Sequence, residues 1–68
     1  MDELDMNIIL ELANNRMNVC EVARILFMHR NTVAYRIKKI KRITGLDLLN
    51  FYDLYKLVKI VNGRKYRG

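Results

Sequence analysis

Four stretches of the chain carry apolar residues at every third or fourth position, which is the spacing of amphipathic helices. The pattern predicts helices over residues 4–14, 19–26, 30–44 and 51–61, followed by a basic tail over residues 62–68. The predicted fold is therefore one small all-α domain of four helices. The first helix carries two apolar strips on roughly opposite sides, one of Leu4, Ile8 and Leu12 and the other of Met6, Ile9 and Ala13.

The two middle helices have clear end signals. Asn18 is a good N-cap, and Glu21 stands three residues later, at the capping-box position. His29 can cap the next helix, and Gly45 is placed to end that helix in a left-handed conformation. A short helix, a tight turn at residues 27–28 and a longer helix are the arrangement of a helix-turn-helix.

The last helix begins after Asn50, which can cap it, and we expect it to end at Gly63. Its predicted inner side consists of Phe51, Leu54, Val58 and Val61.

The third predicted helix has two unlike faces when its residues are placed at 100° intervals. One face is apolar and the other is mostly basic and polar, so one side should pack and the other should meet solvent or a partner. The apolar stripe consists of Val33, Ile37 and Ile40 with Thr44 at its end, and it should form the core together with Val22, Ala23 and Leu26. The opposite face consists of Asn31, Tyr35, Lys38 and Arg42.

The net charge of +6 is concentrated on this helix. Residues 30–44 hold six basic and no acidic side chains, whereas residues 1–29 hold two basic and five acidic ones. Such a patch favours a polyanionic partner, most often nucleic acid, although a solvated basic face has the same composition.

In helices that lie in the major groove, the N-terminal residues usually reach base edges and later basic residues contact phosphates. Arginine can pair with guanine, asparagine with adenine, and an alanine methyl can meet a thymine methyl. The residues expected to contact bases are Arg30, Asn31, Ala34, Tyr35 and Lys38, of which Lys38 can serve either role. Those expected to contact phosphates are Asn18 with the amides that follow it, Thr32, Arg36, Lys39 and Arg42.

The run ARILFMHRNTVAYRIKKIKRITGLDL (residues 23–48) resembles the C-terminal helix-turn-helix of the purine-catabolism and sugar-diacid regulators, the PucR type of bacterial transcription factor. The resemblance is specific at LFMHRNTVAYRIKKI and TGLDL, and looser over the first helix and residues 50–61. It implies a four- to five-helical domain related to the DNA-binding end of the Fis proteins. It also implies DNA contacts by Arg30, Asn31, Thr32, Tyr35 and Arg36.

Members of that family usually carry sensory regions ahead of this domain. The chain is then either an excised domain or a small self-contained protein, and the sequence leaves both open. A homodimer is expected, since a single small helix-turn-helix buries only about 600–1,000 Å² on DNA and such proteins commonly read two half-sites. The candidate dimer surfaces are the strip of Met6, Ile9 and Ala13 and the outward residues Tyr52, Lys56 and Ile60.

Three functions fit the pattern. The first is a sequence-specific regulator of transcription, or its double-stranded DNA-binding module. The second is a small architectural or recombination-accessory DNA-binding protein, of the excisionase or nucleoid-associated kind. The third is a protein-interaction module whose basic helix docks on an acidic partner. A regulator should prefer its site by about 10³-fold or more, whereas an architectural protein should discriminate weakly and bend DNA.

Several chemistries are not expected. Cys20 stands alone and should be a small buried group, and His29 has no partner ligands at metal-binding spacing. No acid–base pair, activated nucleophile or phosphate-cradling loop can be assembled, so neither an enzyme nor a cofactor or small-molecule ligand is predicted.

No apolar run reaches the ~20 residues of a membrane span, and the acidic start lacks the order of a signal peptide. We expect a cytoplasmic, nucleoid-associated setting.

Overall fold

The computed structural model describes the backbone of residues 1–66 and the side chains of residues 1–63. Within that range the helices confirm the predicted all-α fold and the predicted order. The bounds differ at three ends: the first helix begins one residue earlier than expected, the second ends one residue earlier, and the fourth ends five residues later. The helices are α1 (Glu3–Asn14), α2 (Val19–Ile25), α3 (Arg30–Thr44) and α4 (Phe51–Tyr66).

Polar side chains cap the starts of the last three helices, as the sequence predicts. The Oδ1 atom of Asn18 accepts a hydrogen bond from the amide of Glu21 at 3.1 Å. His29 caps α3 through Nδ1, which accepts from the Asn31 amide at 3.1 Å. Asn50 caps α4 through Oδ1, which accepts from the amides of Tyr52 and Asp53. These bonds satisfy amide groups that a helix leaves without internal acceptors, and so they set where each helix begins.

The two predicted glycine stops behave differently. Gly45 ends α3 in a left-handed conformation with φ of 75°, and its amide donates to the Lys41 carbonyl at 2.8 Å. The prediction that Gly63 ends α4 is wrong, because the helix continues to Tyr66. Glycine permits a left-handed end but does not impose one, and Gly63 keeps a negative φ. The predicted basic tail therefore begins inside α4, and the side chains of residues 64–68 lie outside the described part of the chain.

The core forms where α1 packs on α4 and α2 packs on α3, with α1 also contacting α2 and α3. Four of the predicted inner residues, Leu4, Leu26, Thr44 and Val58, are only half-buried, at the margin of this core. The buried apolar residues are Ile8, Ile9, Leu12, Val22, Ala23, Val33, Ile37, Ile40, Leu48, Leu54, Leu57 and Val61.

Three side chains lie elsewhere than the pattern predicts. Ile9 is fully buried and does not form a surface strip, because α1 has neighbours on more than one side, although Met6 of the same strip is half-buried and Ala13 is exposed. Phe51 is exposed, because the buried face of α4 includes Leu57. The middle of that face therefore lies roughly 50° around the helix axis from the predicted position, on the side away from Phe51. Cys20 is exposed on α2, whereas a buried position was expected.

Candidate nucleic-acid interface

Helix α3 presents a line of polar and basic side chains away from the core. Asn31, Tyr35, Lys38 and Arg42 are separated by steps of four, three and four residues, and all four are exposed. Tyr35 is 60% exposed although it is aromatic, which excludes it from the core. This line matches the predicted outer face, so the helix has a buried apolar back and an open front.

The first turn of α3 adds three more of the predicted contact residues. Arg30 and Thr32 are exposed, and Ala34 is half-buried beside the outer line. Asn18 lies at the start of the other helix of the pair, where its Oδ1 is occupied by the cap. Its Nδ2 group is therefore the side-chain donor that it can offer to a phosphate.

Two of the predicted phosphate contacts, Arg36 and Lys39, lie on the flank of α3 that faces α1. The Arg36 Nη1 atom donates to Asp2 Oδ2 at 2.8 Å and to Asp5 Oδ1 at 3.1 Å. The Lys39 Nζ atom lies 3.1 Å from Asp5 Oδ2. Among the described residues Asp5 Oδ2 receives no directed hydrogen bond, so its contact with Lys39 is a contact of opposite charges with poor hydrogen-bond geometry.

Asp5 is the functional-site neighbour that the sequence reading missed. Its side chain is 0% exposed, and it lies under the flank of α3 where it holds two cations. A signal was present in the sequence, since Asp5 falls four residues before Ile9 and seven before Leu12, on an apolar side of α1. An acid on the apolar side of a helix usually needs a cationic partner from another element.

The contacts at the start of α1 shift the pKa of two groups, Asp2 and Arg36. The hydrogen bond from the Asp5 amide, and then that from the Arg36 guanidinium, lower the pKa of Asp2 to about 2. The hydrogen bonds that Arg36 donates to Asp2 and then to Asp5 raise the pKa of its guanidinium. Asp2 and Arg36 are therefore both fully charged at neutral pH.

An apolar groove lies on another part of the surface, between the C-terminal end of α1 and the start of α4. Its walls include Ala13, Met17, Phe51 and Tyr55.

Among the described residues, no group of His, Cys, Asp and Glu side chains is placed to hold a metal ion. Of the helices described, none is both long and apolar enough to span a membrane.

Comparison with known proteins agrees with this arrangement. The family model of the PucR C-terminal helix-turn-helix domain matches residues 8–58. The chain belongs to this family. The chain is also 52% identical over 40 residues to the carbohydrate diacid regulator of Escherichia coli (strain K12), an alignment covering 56% of this chain and 10% of that protein. No solved structure matches it significantly.

The predicted resemblance to PucR-type regulators is thus confirmed, and the chain is a DNA-binding helix-turn-helix domain of the kind found in transcription regulators. The family match contains the whole of α2 and α3, more than half of α1 and the first half of α4. The match begins after Asp2 and Asp5, so the two carboxylates that hold Arg36 and Lys39 lie outside the matched range. The chain spans about a tenth of the length of the curated relative that it matches.

Proposed function

We propose that this PucR-type domain recognises a specific double-stranded DNA site by placing α3 in the major groove. The observation that carries the proposal is the outer line of α3, in which Asn31, Tyr35, Lys38 and Arg42 are exposed above a fully apolar back. A major groove about 12 Å wide admits one such helix. The short α2, which packs on α3, braces it from behind.

The first half of α3 is the part proposed to read bases. Arginine and asparagine make two-point hydrogen bonds to guanine and adenine, and an alanine methyl packs on the thymine methyl. These chemistries stand together at the exposed start of the helix, and Lys38 lies one turn further along the same line. The proposed base contacts are Arg30, Asn31, Ala34, Tyr35 and Lys38.

The phosphate contacts are proposed to lie on both sides of that line and at its C-terminal end, which Arg42 forms. Asn18, Thr32 and Arg42 are exposed. Arg36 pairs with Asp2 and Asp5 through Nη1 alone, so its other guanidinium nitrogens can donate to a phosphate while the ion pair is kept. Lys39 can do the same, because its ammonium group has three donors and Asp5 takes up one direction.

In the cell, we propose that the domain serves a regulator of transcription located with the chromosome in the cytoplasm. The support is the family and the name of the Escherichia coli relative, which is called a carbohydrate diacid regulator. Signal sensing would belong to other parts of such a protein.

We also propose that two copies act together on DNA. Because Ile9 in the middle of the α1 strip is buried, we place the dimer surface on the exposed face of α4 with Tyr52, Lys56 and Ile60. Sedimentation equilibrium with and without DNA tests this directly. A mass of two chains on a duplex that contains two half-sites is the expected result, and a monomer mass under every condition would contradict it.

Selection of preferred duplexes from a random DNA library at near-physiological salt tests the main proposal. Enrichment of an inverted repeat, with half-sites about one helical turn apart, is expected. Retention of DNA with no enriched sequence would contradict specific recognition and favour an architectural DNA-binding protein. A complete lack of retained DNA would contradict DNA binding and favour an acidic protein partner.

A further inference from the structure

The fold itself does not explain why a large aromatic side chain stands at Phe27, in the turn of the helix-turn-helix. It is 96% exposed, and its backbone is left-handed with φ of 56°. The Phe27 amide donates to the Arg24 carbonyl at 3.2 Å, and the next amide, that of Met28, donates to the Ala23 carbonyl at 2.8 Å. This pair of bonds is a Schellman motif with Phe27 at the position that glycine usually takes.

A bulky side chain in this conformation is disfavoured for steric reasons, and exposure of an aromatic ring brings no compensating burial. Arg16 and Met17 also have positive φ values, of 57° and 61°, but they lie together in the turn between α1 and α2, where the Met17 side chain packs against the core. Phe27 has no such contact. Outliers of this kind persist where the surrounding structure holds them, and they cluster at functional sites.

Basic residues stand on either side of Phe27 in the chain, and the second of them begins α3. It lies two residues before His29, the cap of α3, and three before Arg30, the first residue of that helix. Arg24 and Arg30 are exposed on either side of it in the chain, and Glu21, the acidic residue nearest in sequence, is paired with Arg24. Phe27 therefore lies in the turn that leads into α3, between two exposed arginines in the chain.

We propose that Phe27 is a DNA contact, whose ring packs on apolar atoms of the duplex at the edge of the site that α3 reads. This inference rests on the proposed function. Phenylalanine makes such contacts with thymine methyl groups, and deoxyribose offers a similar apolar surface. The contact accounts for a ring held in water at the cost of backbone strain, because the ring becomes buried when DNA binds.

Two variants separate binding from folding. Phe27→Gly removes the ring and relieves the left-handed strain, so its melting temperature should equal or exceed that of the parent chain. Phe27→Ala removes the ring but keeps the strain, so it should gain no stability from the backbone. Both variants should bind the selected duplex about tenfold more weakly, as expected for the loss of one apolar contact. Leu49→Ala, which removes a 52% exposed apolar side chain from the segment between α3 and α4, outside the proposed DNA and dimer surfaces, is the matched control for affinity.

The outcomes are distinguishable. If the parent chain binds no duplex, the proposed function fails. If the parent chain binds and both Phe27 variants bind equally well, this inference alone fails, and a loss of self-association would then assign the ring to a protein contact. A lower melting temperature for Phe27→Gly would contradict the strain argument. Deoxyuridine in place of single thymidines, tested on the parent chain and on Phe27→Ala, identifies the surface. If the ring meets a thymine methyl, one such substitution weakens binding of the parent chain but not of Phe27→Ala, whereas a sugar contact gives no substitution with that difference.

Discussion

The Arg36 Nη1 atom lies 3.1 Å from Oδ1 of Asp5, a carboxylate that is 0% exposed. The same carboxylate holds Lys39 through its other oxygen, at 3.1 Å. The acidic beginning of α1 is thereby fastened to the flank of α3, next to the face proposed to enter the groove. Burial of a charge is tolerated here because opposite charges compensate it.

Replacement of Asp5 by alanine should destabilise the domain by about 1–3 kcal/mol, because Arg36 and Lys39 then lose the carboxylate that they contact. Urea denaturation measures the effect. Glu3→Ala is the control, because it removes the same charge from an exposed position in the same turn of α1. Equal stability of the two variants would show that the ion pair contributes nothing.

The lowered pKa of Asp2 predicts an acid dependence of stability. Its folded value of about 2 lies below the ordinary value of 3.8, so the stabilisation is fully present above pH 4 and is lost as the pH falls towards 2. Asp2→Asn keeps a capping oxygen but loses the charge. The gap in unfolding free energy between the parent chain and this variant should therefore be wide at pH 6 and narrow at pH 2. A gap that does not change with pH would contradict the assignment.

Two isoleucines on α3 give a matched test of the core. Ile40 is 0% exposed and Ile43 is 63% exposed. Ile40→Ala should cost about 2–5 kcal/mol, which is comparable with the ~3–5 kcal/mol that a core of this size provides, so much of the protein should be unfolded. Ile43→Ala should change stability by less than about 0.5 kcal/mol. Circular dichroism and thermal melts distinguish the two, and similar melting temperatures would refute the orientation of α3.

Local signals predicted most of the fold. Caps at Asn18, His29 and Asn50 and the glycine end at Gly45 depend on residues a few positions apart, so the sequence displays them directly. The inner stripe of α3 follows from helical periodicity alone. The exposed outer line of that helix followed for the same reason.

Features that depend on neighbours distant in sequence were missed. The contact of Asp5 with Arg36 joins residues 31 positions apart, and periodicity in α1 does not show that Ile9 also faces another helix. The exposure of Phe51 depends on which turn of α4 meets the core. Gly63 does not end its helix because a glycine only permits that outcome.

Arg42 provides the clearest test of phosphate contact, because it is exposed on the outer line of α3. Arg42→Ala should weaken binding to all duplexes alike and should lower the slope of log affinity against log salt by about 0.9. Lys59→Ala, which removes the same charge from an exposed position on α4 outside the proposed dimer surface, should leave the slope unchanged. An unaltered slope for Arg42→Ala would exclude it as a phosphate contact.

The measurement that tests the central claim most directly is the affinity of Asn31→Ala for the selected duplex and for a random duplex, compared with the parent chain. If Asn31 reads a base from the front of α3, the variant should lose about 1–3 kcal/mol of binding free energy on the selected duplex and almost none on the random one. Tyr35→Ala should behave in the same way. An equal loss on both duplexes, or no loss on either, would contradict base recognition by this face of α3.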